Sequence, residues 1–172
     1  MVEDTSRLKQ TLIDIQVVQS GEFVLASGKK SNYFVNIKRA STDPRVLKEI
    51  ARVVAPHVGN RKVAGMALGA VPIAVAVALE TGMPYVMVRR QAKDHGTKDE
   101  VEGDVVQGEE FVVVEDVATT GGSTLKVVEA LKVKGAVVTK AVVVVDREEG
   151  ARELLSENGV ELVAIFKAKD LT

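Results

Sequence analysis

The sequence predicts an α/β fold, a parallel sheet of about five strands flanked by helices, preceded by a small N-terminal hood. From Lys62 onward, β-branched runs alternate with stretches of helical spacing, as βαβ units do. The runs Phe111 to Val114 and Val137 to Val145 are continuously apolar, which suits strands buried on both faces. Asp43-Pro44 has the residue types that open a helix, and Gly135 the type that closes one.

The elements follow in order. Between Thr5 and Val18, Leu8, Leu12 and Ile15 fall on one face of an amphipathic helix. Between Gly21 and Lys38, the runs Phe23-Val24-Leu25 and Tyr33-Phe34-Val35 predict a hairpin turning at Ser27-Gly28-Lys29-Lys30. A second helix starts at Asp43-Pro44 with a stripe of Leu47, Ile50, Ala51 and Val54; His57, near its end, is expected to be solvated or favoured by the helix dipole. Strands are expected over Lys62 to Leu68, Tyr85 to Val88, Phe111 to Val114, Val137 to Val145 and Val160 to Phe166. Helices are expected from Val71 through Leu79, from the end of the motif loop to Gly135, and over Glu148 to Glu157. A chain of 172 residues is read as one domain, with a helix-and-hairpin hood over 1–42 and the α/β core over 43–172.

With 46% hydrophobic and 27% charged residues and a net charge of −1, the chain has no electrostatic case for nucleic acid or an anionic membrane. The lack of cysteine excludes disulfides and thiolate catalysis, and His57 and His95 are too few and too far apart for a histidine zinc site. The charged N-terminus lacks a signal-peptide core and no apolar run reaches membrane-spanning length, so a cytoplasmic location is expected.

The chemistry is concentrated in FVVVEDVATTGGSTL, residues Phe111 to Leu125. Glu115 and Asp116 end an apolar strand, at the sheet edge where open α/β folds bind ligands. Thr119, Thr120, Gly121, Gly122 and Ser123 then offer hydroxyls and backbone N–H groups at a helix N-terminus, an anion site. Carboxylates beside an anion cradle suit a sugar phosphate. The string is neither a Walker A loop nor a dinucleotide-binding glycine fingerprint. A second stretch, Arg89 to Gln107, is polar and aperiodic and begins where a strand ends on the same edge, as expected of a lid; Gly96 and Gly103 are candidate points of lid mobility.

The motif VVVEDVATTGGST resembles the phosphoribosyl-pyrophosphate (PRPP) signature of type I phosphoribosyltransferases. The loop RRQAKDHG and the hairpin FVLASGKKSNYFVNIK resemble those of the orotate phosphoribosyltransferase family, and with Asp146-Arg147 the likeness spans nearly the whole chain. The resemblance implies the type I phosphoribosyltransferase fold and Mg²⁺-dependent conversion of orotate and PRPP to orotidine 5′-monophosphate and pyrophosphate. It implies that Glu115 and Asp116 hold the ribose hydroxyls, that Thr119 to Ser123 form the 5′-phosphate loop, and that Val117 and Ala118 also belong to the PRPP-binding set. Arg89, Arg90, Lys93 and His95 would engage pyrophosphate, with Lys93, His95 and Asp116 the catalytic set; Gly69-Ala70-Val71 fall at a pyrophosphate loop. Thr119, Arg147 and Phe34 would bind orotate, Tyr33 lying in the same strand. Mg²⁺ would be held mainly by PRPP and water, with no direct protein ligand, and a homodimer would share lid residues between sites. The sequence departs from the family at Ala26 and Gly69, where lysine is frequent, and at Arg90 and Glu115, where Lys and Asp are common. A purine or uracil transferase of the same fold, or a non-catalytic PRPP-binding regulator, are the alternatives.

Overall fold

The computed structural model describes residues 5–24, 28, 30–90 and 99–172. Helix α1 (Ser6–Asp14) buries Leu8 and Leu12 and stops before Gln16, whose φ of 53° cannot continue a right-handed helix. Strands β1 (Val18–Val24) and β2 (Lys30–Val35) form the expected antiparallel hairpin, with Val18 opposite Val35. A one-turn helix, α2 (Lys38–Ser41), then leads into α3 (Pro44–Val58). The α3 start is as predicted: Asp43 Oδ1 accepts the Arg45 N–H at 2.9 Å, satisfying one of the free amides of the first turn.

The rest is β3 (Lys62–Met66), α4 (Val71–Thr81), β4 (Tyr85–Val88), β5 (Val101–Glu102), β6 (Glu110–Ala118), α5 (Gly122–Val133), β7 (Val137–Asp146), α6 (Ala151–Glu157), β8 (Glu161–Lys167) and a final 3₁₀ turn at Ala168–Leu171. Among the described residues the main sheet runs β5-β4-β3-β6-β7-β8. Its five longer strands are parallel, as predicted. The two-residue β5 is added antiparallel to β4, at one edge.

Three expectations need correction. The motif strand continues through Glu115 and Asp116 to Ala118, because pairing of Val117 with Val145 and of Ala118 with Asp146 keeps the backbone extended beyond the acids. Part of the loop expected over 89–107 is strand: Val101 is buried and pairs with Val88, and Gly103 packs so closely on β4 that a Cβ would lie 2.9 Å from Val86 Cγ1, which makes it no hinge. The last helix begins at Ala151 rather than Glu148, since Glu148 holds a φ of 57°.

Two cores flank the sheet. Leu12 of α1, Ile50 and Val54 of α3, and Ile73 and Val77 of α4 cover one face, where Val112 and Val114 point. Val127 and Leu131 of α5 and Leu155 of α6 cover the other, meeting Phe111 and Val113. Successive strand residues face opposite sides, so Glu115 follows Phe111 and Val113 and Asp116 follows Val112 and Val114; beyond the acids the order reverses, with Val117 packed on the first core and Ala118 buried in the second. Helix α1 belongs to the first core, and Arg7 ties it to Glu49 of α3 at 2.9 Å. His57 lies half-buried near the end of α3; burial, and then the Lys140 charge, lower its pKa, opposing the dipole effect expected there. No helix among the described residues is long and apolar enough to cross a membrane.

Candidate active site

At the carboxyl edge of β3, β4 and β6 lies a cleft of about 1030 Å³. It gathers Glu115, Asp116, Val117, Thr119, Thr120, Gly122 and Ser123 with Arg89, Arg90 and the Ala67–Gly69 loop. The sheet explains the arrangement: β6 is central and longer than its neighbour β3, so its last residues project past β3 into the open edge.

By strand alternation Glu115 faces the α5 side and Asp116 the α4 side. Glu115 is 6% exposed. Its Oε1 accepts the Asp116 N–H at 3.2 Å, and its Oε2 is buried without a hydrogen-bond partner among the described residues. Burial first, and the adjacent Asp116 carboxylate second, push the Glu115 pKa well above the ordinary 4.5, which favours its neutral form. A buried, unpartnered carboxyl oxygen costs free energy unless a ligand hydroxyl meets it. Asp116 is half-buried, and its Oδ1 accepts the Val117 N–H at 2.9 Å. On its α4 side stands Gly69, where a Cβ would lie 2.5 Å from Asp116 Oδ2. A side chain at position 69 therefore competes with the carboxylate for the same space.

Thr120, Gly122 and Ser123 are exposed at the N-terminus of α5, where the first-turn amides lack helical partners and the dipole favours an anion. Gly121 is buried against Ala151 of α6 and Ala118 is buried beneath the loop; neither lines the cleft.

The stems of the 91–98 segment are fastened to the fold. Arg89 donates its backbone N–H to the Glu100 carbonyl at 2.8 Å and its Nε to Glu102 at 2.8 Å. Lys126 of α5 hydrogen-bonds the Arg90 carbonyl and stands 3.6 Å from Glu100. Lys93, His95 and Gly96 lie outside the described residues, as do Ala26 and Lys29 of the hairpin turn.

Arg147 follows β7 and is reached through the β6–β7 pair, its N–H bonding the Ala118 carbonyl at 2.9 Å beside Thr119. Its side chain is 3% exposed. Nε donates to Glu149 at 2.7 Å, Nη2 to the Ser31 hydroxyl at 3.0 Å, and the guanidinium lies 4.2 Å from the Tyr33 ring centre. It lines a second cavity of about 260 Å³ with Tyr33 and Glu148. Phe34 lines neither cavity. It stacks on Phe23 with ring centres 5.6 Å apart, so the aromatic ring beside Arg147 is that of Tyr33. Sequence reasoning also passed over Lys38, which enters the main cleft from α2. No helical spacing flagged it, because a single turn has too few residues to carry a period.

Residues 39–162 match the phosphoribosyl transferase domain family. The chain is 45% identical over 172 residues to the orotate phosphoribosyltransferase of Methanocaldococcus jannaschii, covering 99% of this chain and 98% of that one. The chain belongs to the orotate phosphoribosyltransferase family. Among solved structures of the family, the enzyme of Aeropyrum pernix superposes with a TM-score of 0.84 at 38% identity, covering 95% of each chain. The Mycobacterium tuberculosis enzyme in complex with PRPP superposes with a TM-score of 0.77 at 30% identity, covering 98% of each chain.

Proposed function

We propose that the chain transfers a phosphoribosyl group from PRPP to orotate, giving orotidine 5′-monophosphate and pyrophosphate. The observation that carries this reading is the buried Glu115 Oε2, lacking a partner among the described residues, in the same cleft as an α5 N-terminus built for phosphate. A sugar phosphate satisfies both: its hydroxyls meet the acids and its 5′-phosphate meets Thr119 to Ser123.

In the reaction the bond from ribose C1 to the pyrophosphate oxygen breaks and the bond from C1 to orotate N1 forms, with inversion. Positive charge grows on the ribose ring and negative charge on the departing oxygen, so the protein's contribution is electrostatic at both ends. Asp116 holds the sugar beside the growing positive charge, and the buried Glu115 Oε2, which has no partner among the described residues, meets a ribose hydroxyl. Arg147 already uses two of its donors on Ser31 and Glu149; guanidinium has five, and the remaining N–H groups suit the oxygens of orotate. Arg90, with Lys93 and His95, is assigned to the pyrophosphate, where charge-assisted hydrogen bonds are strongest.

Among the described residues no group of three or more His, Asp or Glu side chains could hold a metal. In this reading Mg²⁺ is carried on PRPP oxygens and water, where it would neutralise the pyrophosphate charge. A cytoplasmic homodimer whose loop residues are shared between sites completes the reading.

A spectrophotometric assay with orotate, PRPP and Mg²⁺ tests it. Loss of the orotate absorbance with release of pyrophosphate is expected, and Lys93→Ala should lower turnover by about two orders of magnitude. Use of adenine or guanine in place of orotate would overturn it.

A further inference from the structure

The two faces of the sheet divide the cleft. The α5 N-terminus belongs to the face covered by α5 and α6, whereas α3 and α4 cover the other. Asp116 stands between, on the α4 side, next to Gly69. A sugar whose 5′-phosphate rests on α5 and whose ring lies on the acids must send its other end across the edge, toward α4. There the Ala67–Gly69 loop contributes no cationic side chain, and one at position 69 would compete with the Asp116 carboxylate for space.

Lys38 stands on this side. It belongs to α2, which immediately precedes α3, and α3 packs on α4. Three cations line the cleft among the described residues: Lys38, Arg89 and Arg90. Arg89 is paired with Glu102, and both arginines approach from the end of β4. The Lys38 ammonium has no ion pair or hydrogen bond among the described residues. Its backbone, by contrast, is fixed. The Lys38 carbonyl accepts the Thr42 N–H at 3.1 Å and the Thr42 hydroxyl at 2.8 Å, and the turn is pinned by buried Ile37 and Ala40. A rigid base and an uncommitted charge suit capture of an incoming anion, since little backbone order has to be created on binding.

Resting on the phosphoribosyl-transfer reading, we infer that Lys38 is a substrate-binding residue that supplies, from the α3 side, a charge contact to the pyrophosphate end of PRPP. Arg39 is the internal control: it is the next residue, equally exposed and equally charged, but it does not line the cleft.

The test is calorimetric binding of PRPP, inorganic pyrophosphate and ribose 5-phosphate, each with Mg²⁺, to the full chain and to Lys38→Gln, Lys38→Arg and Arg39→Gln. Lys38→Gln should weaken PRPP and pyrophosphate about tenfold or more, the size of a lost charge-assisted hydrogen bond. Ribose 5-phosphate should change less than about twofold, Lys38→Arg should recover most of the loss, and Arg39→Gln should match the wild type within that same ~2-fold margin. Unchanged PRPP affinity in Lys38→Gln, or equal weakening of ribose 5-phosphate, overturns the role. A wild-type chain that binds none of the three ligands overturns the underlying reading of the cleft instead. Melting temperatures of the variants separate either result from misfolding.

Discussion

Glu115 and Asp116 are adjacent in sequence yet sit in different surroundings, because a strand points them to opposite faces. Burial, and then the adjacent Asp116 carboxylate, raise the folded-state pKa of Glu115 above that of the unfolded chain. The folded state then binds the extra proton: Glu115 costs no stability below the unfolded value near 4.5, and stability falls as pH rises from there toward the raised folded value. Glu115→Gln, a neutral stand-in for the protonated acid, should match the wild-type melting temperature near pH 4 and exceed it by a few degrees near pH 8, at ~2–4 °C per kcal/mol for a chain of this size. Parallel melting curves for the two proteins across that range would show that Glu115 is ionised in the fold. Position 69 offers a complementary test at the same carboxylates. Gly69→Ala should displace the Asp116 carboxylate and lower kcat by about tenfold or more with little change in melting temperature, because the added methyl meets a side chain tip at the cleft and not the core.

Among the elements, the hairpin of β1 and β2 packs Val35 into the first core and meets the end of β7 through one buried side chain, Arg147. Arg147 bonds Ser31, lies over Tyr33 and is held from behind by Glu149. The turn presenting it is itself fastened: Glu148 donates its N–H to Asp146 at 2.8 Å and binds Lys167 and Lys169, which hold its pKa down at about 2. Arg147→Ala should therefore abolish turnover and also speed hydrogen exchange in β1 and β2, leaving β3, β6 and β7 protected. Loss of turnover with unchanged exchange in the hairpin would restrict Arg147 to a substrate contact. Much of this layer could be read from the sequence. Asp43-Pro44 gave the α3 start to the residue, since capping is a local property of adjacent residues. The end of β6 could not be read this way, because the apolar run stops at the acids and nothing local carries the strand past them until Val145 and Asp146 are placed alongside Val117 and Ala118. Arg147 was legible, but its neighbours were not: Ser31 and Tyr33 meet it only through the tertiary fold, and the aromatic expected there, Phe34, went to Phe23 instead.

For the whole molecule, the five parallel strands and their order of helices followed from alternation alone, because each βαβ unit writes its own period into the chain. The sixth strand did not, since Val101-Glu102 is too short to have a period and sits in a polar stretch. That small strand has a consequence of another kind. A parallel sheet ending at β4 would leave the outer backbone groups of Tyr85–Val88 bare and ready to pair with another copy's edge. The antiparallel addition of β5 covers Met87 and Val88 and sets the charges of Asp99, Glu100 and Glu102 around them. The chain that flanks the ligand cleft is thus also a guard against clumping. Val101→Asp, which drives a charge into the apolar site of a buried valine, should detach the guard. The protein should then fold and yet scatter light increasingly with concentration and time, a failure of colloidal stability that no activity assay would diagnose.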